Sequence, residues 1–248
     1  MNHWTATPAL VDAFVREGTS IAIALICRTL AEQLPEPGRV LDIGGGDAVL
    51  AVQLAAAGHD VVVHDIDPRM VALGEARLTR APAAIAARIR IARAPAETAP
   101  PREADLVCCH SVLMYEDDPA PMIDAAVRAC RVGGLVSIVA VDPAAIAMRP
   151  GLQGHWREAL HALETGDQAH GPYAPSRNHR REMVEVLLAE AGARTIHWSG
   201  IGIFTDHHAG PIDTDDPQAL IAAEWLAGRQ DPYRSVARCY HLIARVDG

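Results

Sequence analysis

Lysine is missing from this chain of 248 residues, so all 22 basic side chains are arginine. Together with the abundant alanine, that pattern fits the codon bias of a GC-rich genome. Basic residues are outnumbered by 31 acidic ones, leaving a formal charge of −9. An acidic balance excludes the broad positive footprint that nonspecific nucleic-acid binding needs, although a local arginine cluster can still hold a phosphate. Aromatics make up only 4% of the chain, which suits a helix-rich α/β enzyme better than a β-sandwich. The five cysteines (Cys27, Cys108, Cys109, Cys130, Cys239) form no C-x-x-C pair, and the histidines lack paired ligand spacing. Neither a disulfide framework nor a metal site is therefore expected, and the thiols read as small hydrophobes in a reduced cytoplasm. No apolar run reaches the ~18 residues of a membrane span. The stretch MNHWTATPALVDAF has no basic segment leading into an apolar one, so no secretory leader is expected.

What the chain does have is Arg39–Pro68, RVLDIGGGDAVLAVQLAAAGHDVVVHDIDP. It reads as a buried strand over Arg39–Ile43, a turn at Gly44, Gly45 and Gly46, a helix over Asp47–Ala57 and a second strand over Asp60–His64. Successive glycines after an apolar strand let backbone N–H groups and a helix start approach a ligand closely. Asp65 closes the second strand, where a carboxylate can accept from both hydroxyls of a ribose, with Ile66 beside it. Asp42 sits on the lip of the glycine turn. A dinucleotide fingerprint would need a small residue at Val49 for close helix–strand packing, and valine is too bulky.

The acid-x-Gly-x-Gly order from Asp42 resembles motif I of the class I S-adenosylmethionine-dependent methyltransferases. The third small position falls at Ala48, where that family more often has glycine. The resemblance implies S-adenosylmethionine as cofactor, held by Asp42, Gly44, Gly45, Gly46, Asp65 and Ile66. It also implies Glu97 near the adenine amino group and His110 beside the methyl position. The implied fold is α/β: a Rossmann-like seven-stranded, mostly parallel sheet with a terminal antiparallel hairpin and an inserted helical cap.

The rest of the chain fits that plan as one domain over 1–248. Residues 1–37 read as a helical lead-in, with a helix over Pro8–Leu34. The resemblance implies an N-terminal lid over the cofactor, and a packing helix is the equal alternative. Pro68–Arg80 reads as a helix, with Met70 able to cover an adenine but more at home in a core. Strands follow at Arg88–Ala92 and Asp105–His110, then a helix at Pro119–Arg131, the turn Arg131–Gly134 and a strand at Leu135–Val141. Residues 142–175 break the βα rhythm and read as a cap over the acceptor, with a helix near Gln153–Leu163. A helix at Ser176–Ala191, a strand at Ala193–Phe204, a helix at Pro217–Gly228 and a last strand at Tyr233–Val246 complete the chain.

A closer resemblance is to the bacterial tRNA 5-carboxymethoxyuridine methyltransferases, over about residues 38 to 246. It is carried by VLDIGGG, GHDVVVHDID, DLVCCHSVLMYEDDP, the RVGG turn, GIGIFTDHH and AGRQDPYRSVARCYHLIARV. That family methylates a carboxylate on a wobble uridine. Its cap carries a lysine-rich run, where this chain has ETGDQAHGPYAPSRNHRR. The expected reaction is therefore O-methylation of a small carboxylate or hydroxyl acceptor, with tRNA as the alternative acceptor and noncatalytic cofactor binding as the remoter one. His110 is the candidate base for a hydroxyl acceptor. Tyr115, His155, Asp206, Arg229 and Tyr233 are the candidate acceptor contacts, Arg229 offering a bidentate fork to an anion. No membrane or metal partner is expected, and a homodimer is open.

Overall fold

The computed structural model describes residues 21–34, 36–166, 177–208, 212 and 214–248. The lid expected over 1–37 is thus described only from α1 (Ile21–Gln33) onward, and the end of the expected cap lies outside the described residues. The chain continues through β1 (Arg39–Ile43), α2 (Val49–Ala56), β2 (Asp60–Asp65), α3 (Pro68–Leu78), α4 (Ala83–Ala86), β3 (Ile89–Arg93), β4 (Ala104–His110), α5 (Ala120–Ala129) and β5 (Cys130–Val141). The cap contains α6 (Met148–Leu152) and α7 (Trp156–Thr165), followed by α8 (Arg181–Glu190), β6 (Ala193–Ile201), α9 (Pro217–Ala227) and β7 (Cys239–Val246).

The seven strands form one sheet in the order β3-β2-β1-β4-β5-β7-β6, parallel except that β7 runs antiparallel between β5 and β6. The central strands are apolar on both faces because helices cover both sides. Leu41, Ile43, Val107, Val136, Ile138 and Leu242 pack beneath α5 and α8. Val40, Leu106, Cys108, Leu135 and Ile243 pack on the other face with Leu25, Ile26 and Leu30 of α1 and Leu50 and Leu54 of α2. Cys108, Cys109 and Cys130 are buried within these layers as free thiols.

Several boundaries differ from the sequence expectation, among them α8, which starts at Arg181 and not Ser176, and β6, which ends at Ile201 and not Phe204. The helix after the glycine turn starts at Val49, because Ala48 adopts a left-handed backbone with φ 61° and acts as its cap. Extended backbone begins at Cys130, so the RVGG turn is an irregular strand start whose pairing shifts between Ala104 and Leu106. The last strand begins at Cys239, since Tyr233–Val236 coils into a 3-10 turn closed by its own backbone and by Asp231. The cap carries two helices where one was expected, with His155 between them.

Candidate functional site

Parallel strands open a crevice at their carboxyl ends where the sheet order reverses, here between β1 and β4. Gly44, Gly45 and Gly46 line it. The Gly44 amide donates to the His64 carbonyl (2.7 Å), which ties the turn to β2. Gly46 has φ +57°, and its amide donates to Asp65 Oδ2 (3.0 Å). At Gly45 a side chain is impossible, because a Cβ there would lie 2.6 Å from Asp42 Oδ2. Turn and acids are thus packed as one unit.

The two acids hold their charge differently. Asp42 is 2% exposed and its Oδ2 has no hydrogen-bond partner. Burial, and then the neighbouring Asp65 and Asp47, push its pKa up to about 7. Asp65 is also raised, mainly by burial, but it accepts from the Gly46 and Asp67 amides, which favour its charged form. Each carboxylate oxygen has lone pairs left after one such bond. An orphaned buried carboxylate oxygen, a second carboxylate and a cradle with no room for a Cβ suit a ligand carrying a cation and a ribose. S-adenosylmethionine fits that description. Ile66, 39% exposed, stands at the rim, and Met70 is fully buried beneath Gly46, in the core as its helical position suggested.

Sequence reasoning missed the brace behind this turn. Asp47 is buried and paired with Arg77 of α3, whose Nε also donates to the Asp47 carbonyl (2.8 Å). Adjacent Gly and Asp did not signal a partner thirty residues on.

The loop after β4 closes the crevice from the other side. Ser111 has φ 57°, and Val112 lies against Gly44 so closely that no Cβ would fit there. His110 ends β4 on the face that also carries Asp42 and Cys108. Its Nε2 lies 2.8 Å from Ser137 Oγ of β5, which lies 2.8 Å from His241 Nε2 of β7. The two imidazoles stand edge to face, centroids 5.6 Å apart. Burial lowers the pKa of His110 to about 3 and that of His241 well below its ordinary value, so both rings are neutral. Ser137 and His241 were also missed, although a histidine inside the apolar strand CYHLIARV is a visible oddity.

The remaining candidates are spread more widely. Glu97 lies exposed on a 3-10 turn (Ala96–Thr98), with its carbonyl held by Arg128 (2.8 Å). Tyr115 is half-buried on the turn Leu113–Tyr115, which His179 supports through the Leu113 and Glu116 carbonyls. His155 is exposed and 4.0 Å from Glu158. Asp206 faces Arg149 of the cap (3.6 Å) and Arg238 (3.9 Å). Its loop is pinned by Glu224 of α9, which is fully buried and accepts from the Ile203 and Phe204 amides and the Thr205 hydroxyl. Arg229 pairs with Glu32 (2.6 Å) and lies 4.0 Å over Trp225, which Arg28 covers at 4.2 Å. Its fork is therefore turned to α1. Tyr233 is 48% exposed beside Phe204. Among the described residues no group of three or more His, Cys, Asp or Glu could hold a metal, and no helix is long and apolar enough to cross a membrane.

Comparison with known proteins agrees with this geometry. Residues 41–138, spanning the glycine turn to β5, match the methyltransferase domain family. The tRNA 5-carboxymethoxyuridine methyltransferase of Escherichia coli K12 is 25% identical over 224 residues, covering 88% of this chain and 84% of that protein. Magnesium protoporphyrin IX methyltransferase from Synechocystis PCC 6803, with bound S-adenosylhomocysteine, shares the fold with a TM-score of 0.60 at 15% identity, over 91% of this chain and 82% of that one. The 1,6-didemethyltoxoflavin-N1-methyltransferase of Burkholderia thailandensis does so with a TM-score of 0.59 at 15% identity, over 96% and 82%. The domain match over residues 41–138 and the 25% identical relative support an S-adenosylmethionine-dependent methyltransferase, and the sheet order is that of the class I fold.

Proposed function

We propose that the protein transfers a methyl group from S-adenosylmethionine to the carboxylate oxygen of a small molecule, forming a methyl ester. The observation that carries the small acceptor is that most arginines near the cap and the C-terminal elements are engaged by acids. Near the cap, Arg157 and Arg180 alone make no ion pair among the described residues. Arg149 and Arg238 face Asp206, Arg177 pairs with Asp117, Arg229 with Glu32, and Arg234 with Asp231. A phosphate track would have to break those pairs one by one, in a protein already at −9. The tRNA reading keeps one specific support, the 25% identity to the Escherichia coli enzyme over 88% of this chain.

The carboxylate follows from His110. An unpaired buried N–H costs more than an unpaired lone pair. His241 is wholly buried with an unpartnered Nδ1, so its proton belongs on Nε2, donated to Ser137 Oγ. The Ser137 hydroxyl then donates to His110 Nε2, which leaves the His110 proton on Nδ1, a nitrogen that is itself buried without a partner and so needs an acceptor from a bound ligand. In this assignment His110 is a hydrogen-bond donor, and a ring with a pKa near 3 is a poor base at neutral pH. An anionic acceptor needs no base. His110 Nδ1–H can orient one carboxylate oxygen while the other attacks.

Asp42, Gly44, Gly45, Gly46, Asp65 and Ile66 hold the cofactor in this reading. The bound cofactor supplies an electrophilic methyl on a sulfonium. The chain's own contribution is alignment and exclusion of water, with the cap over the acceptor. Glu97 and Arg229 contribute least: the one is exposed, the other engaged by Glu32.

The test is transfer of labelled methyl to a panel of small carboxylic acids and, in parallel, to tRNA lacking the ester. Label in a small acid, released as methanol by mild base, is the expected result. Base-stable label would overturn the carboxylate, and label in tRNA alone the small acceptor.

A further inference from the structure

The connection from β3 to β4, residues 94–103, holds only a 3-10 turn. A parallel crossover usually takes a dozen or more residues and a helix. Without that helix, the face of β1–β3 turned away from α1 and α2 is only partly roofed among the described residues. An open groove of about 540 Å³ lies there, between the sheet and the Pro100–Glu103 overhang. Leu41 and Val62, neighbours in register, make an apolar floor, and Arg90 continues the same row on the edge strand. Arg39 and Arg88 stand at the amino ends of their strands. Arg88 pairs with exposed Asp60, a weak link, whereas Arg90 makes no ion pair among the described residues. At the upper end His64 is 8% exposed, with an Nδ1 that has no hydrogen-bond partner.

We propose that this groove is a second ligand site, for a small organic anion with an apolar body. The body lies on Leu41 and Val62, the anionic end meets Arg90 and Arg88, and a polar group of the ligand reaches His64 Nδ1. Three observations support it independently. The volume falls in the range of small-molecule sites, roughly 300–1,000 Å³. Three arginines against Asp60 and Glu103 make a locally positive lining on an acidic protein. The His64 ring bonds the Pro95 carbonyl, and its buried Nδ1 keeps an unmet lone pair that a donor on a ligand would satisfy. The groove is separate from the glycine turn but adjoins it, since the His64 carbonyl accepts the Gly44 amide. A ligand there would touch the strand that carries the cofactor turn.

The amphipathic anion 8-anilinonaphthalene-1-sulfonate is a suitable probe, titrated by fluorescence with S-adenosylhomocysteine saturating. Saturable one-to-one binding is expected, weakened at least about tenfold by Arg90→Glu through loss of a charge-assisted contact and reversal of charge. Val62→Trp should weaken it as well, by filling the floor. Retained binding of S-adenosylhomocysteine shows that each variant is folded, and a Val62→Trp protein that fails this check leaves Arg90→Glu to decide. The proposal is overturned by any of four results: no saturable binding, a dye affinity that falls when S-adenosylhomocysteine is added to the free protein, unchanged affinity in Arg90→Glu, or loss of binding on Leu160→Glu, among the exposed Leu152, Trp156, Leu160 and Leu163 of the cap.

Discussion

At the scale of single residues the chemistry rests on groups whose burial sets their charge. Asp42 has a folded pKa of about 7 against 3.8, so between those values the native state binds the extra proton. Its contribution to stability is therefore present at low pH and lost as pH rises through about 7. Asp42→Asn should be more stable than wild type at pH 8, by an upper bound on the order of 4 kcal/mol, with the difference vanishing below pH 4. Thermal melts of both proteins across that range read it directly. His110 works the other way. Its depressed pKa makes the native state resist protonation, so its contribution is full above pH 6.5 and falls away as pH drops toward 3. For a carboxylate acceptor, His110→Ala should lower kcat/KM by about 10–100-fold, one lost hydrogen bond to a charged group. It should leave the pH–rate profile between 5 and 8 unchanged. A hydroxyl acceptor would instead lose about 10²–10⁴-fold and show an altered profile.

At the scale of elements, the strand–glycine–strand unit was legible because each of its signals is local. An apolar run, three glycines and two acids all lie within thirty residues, and the structure brings Asp42, Gly44, Gly46 and Asp65 together. The helix boundary was misread by two residues because Ala48 takes a backbone that sequence assigns to glycine. A non-glycine residue there costs about 1–2 kcal/mol, while its buried methyl returns about 0.8. Ala48→Gly should thus raise the melting temperature by about 1–3 °C. The illegible parts were those made by long-range partners. His241 reaches Ser137 across the sheet, Arg77 reaches back to Asp47, and Glu224 crosses from α9 to the loop after β6. None has a fixed spacing to its partner. Glu224→Ala would leave three donors unanswered, at a cost of about 3 kcal/mol or more, whereas Glu224→Gln should cost less by keeping one acceptor. Chemical denaturation of the two variants separates them.

At the scale of the whole molecule, a shared sheet order shows a fold, and neither an enzyme class nor an acceptor follows from it alone. The acidic surface bears on that choice. With a small acceptor, kcat/KM should change less than about twofold between 50 and 200 mM salt, whereas an enzyme neutralising several phosphates loses orders of magnitude over that range. All of this presupposes that the glycine turn and its two acids hold S-adenosylmethionine, and calorimetry of S-adenosylhomocysteine with wild type and Asp65→Ala tests that most directly. One site per chain is expected, weakened about tenfold or more by Asp65→Ala as charge-assisted bonds to the ribose are lost, with the far-ultraviolet circular dichroism unchanged. Equal affinity in the variant, or binding of NAD in place of S-adenosylhomocysteine, would contradict it.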